Sequence, residues 1–98
     1  MMYMIVLDNR SNDVLVKERV EAAVKTMGNW SNRMSDVWLL ETNTRGARAI
    51  RDTLRQFVSD KDRLFVARIT RNWAGRNMGE GFPEWMQRRD FGAFTEQS

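Results

Sequence analysis

Met2-Tyr3-Met4-Ile5-Val6-Leu7-Asp8 is an apolar run of strand length that stops on a carboxylate. A strand with one wet face alternates apolar and polar side chains, so an uninterrupted run reads as a strand buried on both faces. Tyr3, Ile5 and Leu7 then form one side, Met4 and Val6 the other, because side chains alternate across a sheet. Asp8 arrives at the end of that sheet, where α/β-type proteins often hold a metal or a phosphate.

Working outward, Asp8-Asn9-Arg10-Ser11-Asn12-Asp13 is rich in turn and cap formers and reads as an exposed loop leading into a helix. Over 13–27, Val16, Val20, Ala23, Val24 and Met27 recur at helical spacing, with Glu21 and Lys25 as an i,i+4 pair and Gly28 as the stop. Over 29–42, Trp30, Met34, Val37, Trp38, Leu39 and Leu40 are interrupted by Ser35-Asp36. This predicts a short strand, a kink or tight turn, and a longer strand over 37–41. Asn43-Thr44 offers a cap, and Ala47, Ile50, Leu54, Phe57 and Val58 mark a second helix with Arg48, Arg51 and Arg55 on an adjoining face.

Residues 59–62 break that helix, and 64–69 is another apolar strand. Gly75, Gly79 and Gly81 then predict a mobile loop. They have neither Walker nor dinucleotide spacing, so they make no phosphate-binding motif. Pro83 opens a short helix over 84–89, with Phe82, Trp85 and Met86 on one side, and the last residues apart from Phe91 and Phe94 read as a frayed tail.

The order strand, helix, strand with a kink, helix, strand is that of an α+β ferredoxin-like sandwich, a small antiparallel sheet with two helices on one face. The 98 residues make one domain, with 1–74 as the ferredoxin-like unit and 75–98 as a C-terminal extension of it. Two helices cover one face, yet the first strand is apolar on both. The second face therefore predicts cover, either from a second copy in a homodimer burying on the order of 1,600 Å² or from the C-terminal segment folding back.

Composition narrows the chemistry. With no Cys and no His, the chain lacks disulfides, thiolate nucleophiles and the commonest general base and metal ligand. Catalysis would have to use carboxylates, hydroxyls, amines, Arg or a hard metal. The net charge of +3 is carried mostly by Arg, the residue suited to bidentate phosphate or carboxylate contacts. The apolar start is too short for a membrane span or signal peptide, which places the protein in the cytoplasm with no membrane partner.

The strand ending in Asp8, the segment Asp36-Val37-Trp38-Leu39-Leu40-Glu41-Thr42, Ile50-Arg51-Asp52-Thr53-Leu54, and Asp62-Arg63-Leu64-Phe65-Val66 before Trp73-Ala74-Gly75 together resemble the small proteins labelled SinR. Those are similar in turn to CRISPR-associated protein 2 and virulence-associated protein D. The resemblance implies a ferredoxin-like fold and a homodimer. It further implies either a metal-dependent nuclease using an Asp at the end of the first strand or a scaffold in a nucleoprotein complex. Asp8 is the residue that carries over from the nuclease motif; Leu7 stands where nuclease-type members have Tyr.

Asp8 accordingly has two readings. It is a catalytic ligand for Mg or Mn, which bind through one or two carboxylates plus waters and phosphates, or it is a strand-ending acceptor for the following turn. Arg10, Arg68, Arg71 and Arg76 are the candidate nucleic-acid contacts, the last two flanking Trp73 in the Gly-rich region. Phe82, Trp85 and Met86 are the candidate partner-binding face. Three functions follow: a homodimeric nucleic-acid-binding or scaffolding protein, a metal-dependent endonuclease or endoribonuclease, and a protein-interaction module or inhibitor from a mobile element.

Overall fold

The computed structural model describes residues 1–92. Four antiparallel strands, β1 (Met2–Asp8), β2 (Asn29–Met34), β3 (Val37–Glu41) and β4 (Arg63–Ile69), form one sheet in the order β2-β3-β1-β4. Helices α1 (Leu15–Lys25) and α2 (Ala47–Leu54) lie between strands in sequence, and α3 (Phe82–Gln87) follows the last one. The strand and helix order is the expected α+β arrangement, with β1 in the middle. Among the described residues no helix is long and apolar enough to cross a membrane. The frayed tail predicted at the end falls largely on 93–98, outside the described residues.

Apolar pairing on both sides keeps β1 central. Ile5 sits opposite Trp38 of β3 and Val66 of β4, and the register runs without a break from Met2↔Ile69 to Asp8↔Arg63. The side of the sheet bearing Tyr3, Ile5, Leu7, Trp38 and Leu40 packs against Val16, Val20 and Val24 of α1 and Ile50 and Leu54 of α2. Trp38 is fully buried, and its indole N–H donates to Glu21 Oε1 at 3.1 Å. That bond satisfies the one polar atom a buried Trp carries. Glu21 also pairs with Lys25 at 3.8 Å, as the helical spacing predicts.

α1 starts where the sequence puts a cap: Asp13 Oδ1 accepts the N–H of Leu15 at 3.0 Å. It ends earlier than Gly28, with Thr26 closing the last turn through bonds to Ala23. Gly28 has a different role, since a Cβ there would overlap the carbonyl oxygen of Glu41. The chain enters β2 so close to β3 that only glycine fits.

The other sheet face is covered from within the chain. Phe82, Met86 and Phe91 bury Met2 and Leu39, with Met4, Ile69, Trp73, Met78 and Trp85 packed around them. Of the two covers predicted for this face, the C-terminal segment is therefore present. The glycine loop leading to it is tied down: Arg33 Nη1 donates to the Met78 carbonyl at 3.1 Å and Nη2 to the Glu80 carbonyl at 3.2 Å. Gly79 lies directly beneath that guanidinium, where a Cβ would collide with it. The three-glycine stretch serves close approach and positive φ at Gly79 and Gly81, where the sequence suggested mobility.

Gly28→Ala should destabilise the protein by about 3 kcal/mol, because the obstruction is backbone and cannot move aside. Gly46→Ala, with open space around it, should stay within about 0.5 kcal/mol of wild type, the lost N-cap preference offsetting the entropy gain. Urea unfolding of the two variants checks the contrast.

Candidate functional site

Residues paired across an antiparallel sheet share a face, so the register sorts the face opposite α1 and α2 into rows. Asn29, Glu41, Met2 and Ile69 form the first, Ser31, Leu39, Met4 and Ala67 the second, and Met34, Val37, Val6 and Phe65 the third. Beyond them Asp8 pairs with Arg63. The C-terminal segment covers apolar members of the first two rows, Met2, Met4, Leu39 and Ile69. The third stays open: Phe65 is 60% exposed and Met34 44%, with Val6 and Val37 half-buried between them. One apolar side chain from each of four strands thus lines up on the surface, ending beside charge.

That charged end is held in place from the neighbouring loops. Arg10 Nε bonds Asp8 Oδ2 at 2.8 Å, both side chains half exposed. The loop carrying Arg10 is pinned by Asp62, which accepts from the N–H of Ser11 at 2.9 Å, the hydroxyl of Ser11 at 3.1 Å and the N–H of Ser59 at 3.0 Å. Burial pushes the Asp62 carboxyl up, but these donors more than compensate, so its pKa lies below the ordinary value. The carboxylate stays ionised and keeps both loops on the same end of the sheet.

The fit of a divalent cation at Asp8 follows from those contacts. Its carboxylate is bonded to the Arg10 guanidinium and stands opposite Arg63, and among the described residues no three acidic side chains gather into a metal-binding group. A hard cation prefers several oxygen ligands and is repelled by nearby guanidinium groups. Within one chain these residues do not fit Mg or Mn.

The four arginines singled out in the sequence separate in space. β4 runs antiparallel to β1, so Arg68 lies at the end of the sheet away from Arg10 and Asp8. Arg68 Nη2 donates to the Phe91 carbonyl at 3.0 Å, and Arg71 Nη2 to the Arg89 carbonyl at 2.9 Å, with the Arg71 guanidinium 4.7 Å from the centre of the Phe91 ring. Both fasten the C-terminal segment. Arg76 is exposed in the glycine loop. Phe82 and Met86 are buried against their own sheet. Trp85 is half-buried, stacked on Phe82 at 6.4 Å and beneath Arg89 at 4.7 Å. Trp73 meets Phe82 edge-on at 5.6 Å, which makes it packing as well.

Three contributors escaped the sequence reading: Phe65 and Met34 as exposed side chains, and Glu41 as an anchor. Glu41 ends β3 and takes hold of the C-terminal segment, accepting from Arg89 Nη1 at 3.1 Å, from Asn29 Nδ2 at 2.8 Å and from the N–H of Asp90. On α2 the helix-face arginine Arg51 pairs with its neighbour Asp52 at 2.7 Å and not with Glu41. No sequence signal reveals the Glu41–Arg89 pair, since 48 residues separate its members.

Comparison of the chain with protein-family models, with curated proteins and with solved structures finds no match.

Burial raises the Glu41 carboxyl, and the bonds from Asp90 and Asn29 with the charges of Arg89 and the N-terminal ammonium bring it below its ordinary value of 4.5. Its folded pKa is below its unfolded one, so its stabilisation is full above that value and is lost as pH falls below it. Glu41→Gln should cost about 2 kcal/mol at pH 7. Urea unfolding from pH 7 to pH 3 should show the gap between variant and wild type closing below pH 4.5.

Proposed function

We propose that the chain is a nucleic-acid-associated binding or scaffolding module that acts without cleaving its ligand. The observation that carries this reading is the open row of Met34, Val37, Val6 and Phe65, bordered by Arg63 and Arg10. An exposed aromatic ring on a sheet is a stacking surface for a base, and neighbouring guanidinium groups suit the phosphates on either side. The mildly basic balance, +3 overall, favours the encounter. The scaffold-type members of the proteins that the sequence resembles suggest the same role.

The nuclease alternative has less support, because Asp8 is engaged by Arg10 and a second copy would have to bring further oxygen ligands. The homodimer remains part of the proposal in modified form. With much of the apolar face already covered by residues 82–91, a second copy would have to use the same open row as the nucleic acid. Self-association and nucleic-acid binding are therefore expected to compete, and light scattering with and without an oligonucleotide reads this directly.

Binding of labelled single-stranded RNA and DNA across a salt series is the main test. Affinity should fall steeply with salt, Phe65→Ala should weaken it by roughly 5- to 100-fold, and Arg63→Ala should lower the salt slope by about one. A flat salt response, or an unaffected Phe65→Ala, would remove the row from the interface. Incubation with Mg or Mn should leave the strands intact in wild type and Asp8→Ala alike; cleavage that vanishes in Asp8→Ala would restore the nuclease reading.

A further inference from the structure

The sheet has two edges, and they are unlike. β2 is irregular, with a break in its pairing to β3 between Ser31 and Met34, where Arg33 bonds carbonyls of the glycine loop and Asn32 bonds the carbonyls of Met34 and Val37. Irregular pairing of that kind blunts an edge against further strand addition. β4 has seven residues in unbroken register with β1. It contains no proline or bulge, and among the described residues no strand lies on its outer side.

Beside β4 runs a cleft of about 510 Å³ lined by Ala47, Arg48 and Arg51 of α2 and by Leu64, Phe65 and Val66. Arg48 and Arg51 are exposed, and Leu64 and Val66 remain half-buried, so the strand's apolar side chains are not sealed beneath the helix. The cleft thus combines a row of backbone donors and acceptors, an apolar floor and a wall of net positive charge, in which Arg51 is paired with Asp52 and Arg48 stands beside that pair. An extended polypeptide uses all three, taking main-chain bonds from the edge and specificity from alternate side chains.

From this juxtaposition we infer that the β4 edge with Arg48 and Arg51 of α2 is a docking site for an extended acidic segment of another protein, added as a fifth strand. Alternation would turn one set of its side chains toward α2, where carboxylates meet Arg48 and share Arg51 with Asp52. The other set faces the Phe65 side of the sheet and is apolar. A second copy of this chain is the wrong occupant: antiparallel pairing of two β4 strands about a two-fold axis keeps both α2 helices on the same sheet face. Two Arg48 side chains, each beside an Arg51–Asp52 pair, would then share one cleft of net positive charge, and like charges across an interface are repelled. A nucleic acid would satisfy the charge and leave the strand's outer N–H and C=O groups to water.

The test uses fluorescence polarisation with a labelled ten-residue peptide alternating glutamate and valine. Wild-type protein should bind it, Arg48→Glu/Arg51→Glu should weaken binding at least about tenfold, and the same peptide with lysine for glutamate should not bind. A version N-methylated at every second residue keeps the charges and loses the edge bonds, and it too should fail. Both substituted positions are exposed, and circular dichroism confirms that the double variant is folded. Equal affinity for the methylated peptide, equal affinity of the double variant, or no binding by wild type overturns the inference. So does a ten-nucleotide RNA that displaces nothing but binds in an Arg48- and Arg51-dependent manner while the peptide does not. Phe65→Ala is not used here, so this result stands apart from the fate of the proposed nucleic-acid surface.

Discussion

The constraint on which the molecule depends is that β1 is apolar on both sides while the two main helices reach only one. Tyr3, Ile5 and Leu7 are buried beneath α1 and α2. Met2 and Met4 face the other way, and leaving such side chains wet would forgo roughly 1.5–3 kcal/mol each. Residues after β4 have no place in the four-strand, two-helix unit itself. They are there to close this face, and α3 does so with Phe82 and Met86, both almost fully buried.

A helix of six residues cannot hold itself in place, since isolated helices of that length are not stable in water. Polar anchors supply the difference. Glu41 grips Arg89 and the N–H of Asp90, Arg68 and Arg71 hold the carbonyls of Phe91 and Arg89, and Arg33 holds the loop that enters α3. The side chains of the Glu41–Arg89 pair are only 15% and 12% exposed. Screening by solvent is slight there, and loss of either partner would strand a charge, so this pair carries more weight than the surface pairs Arg10–Asp8 and Arg51–Asp52.

Most of the fold was legible because it rests on local periodicity. The apolar run through β1, the 3.6-residue spacing of Val16, Val20 and Val24, the Ser35-Asp36 interruption and the Ile50–Leu54 spacing each mark an element without reference to any other. Even the need for a second cover could be read from β1 alone. The candidate surface was not legible, because a row across four strands exists only once the register is set. Phe65 looks like any core aromatic in a strand; its exposure follows from facing Val6 one row beyond the reach of α3. Arg68 and Arg71 misled for a related reason: their partners are backbone carbonyls more than fifteen residues away, and a carbonyl has no letter in the sequence.

Geometry also explains why the cover stops where it does. Successive rows on one sheet face are about 7 Å apart along the strands, and a six-residue helix is about 9 Å long and about 10 Å across with its side chains. Whichever way it is turned, such a footprint spans two rows and falls short of a third. The chain leaves that row exposed and ends the sheet in an Asp8–Arg63 pair with Arg10 beside it. Charge thus borders the exposed apolar strip, so the shortness of α3 and the arginines at the sheet's end shape the same surface.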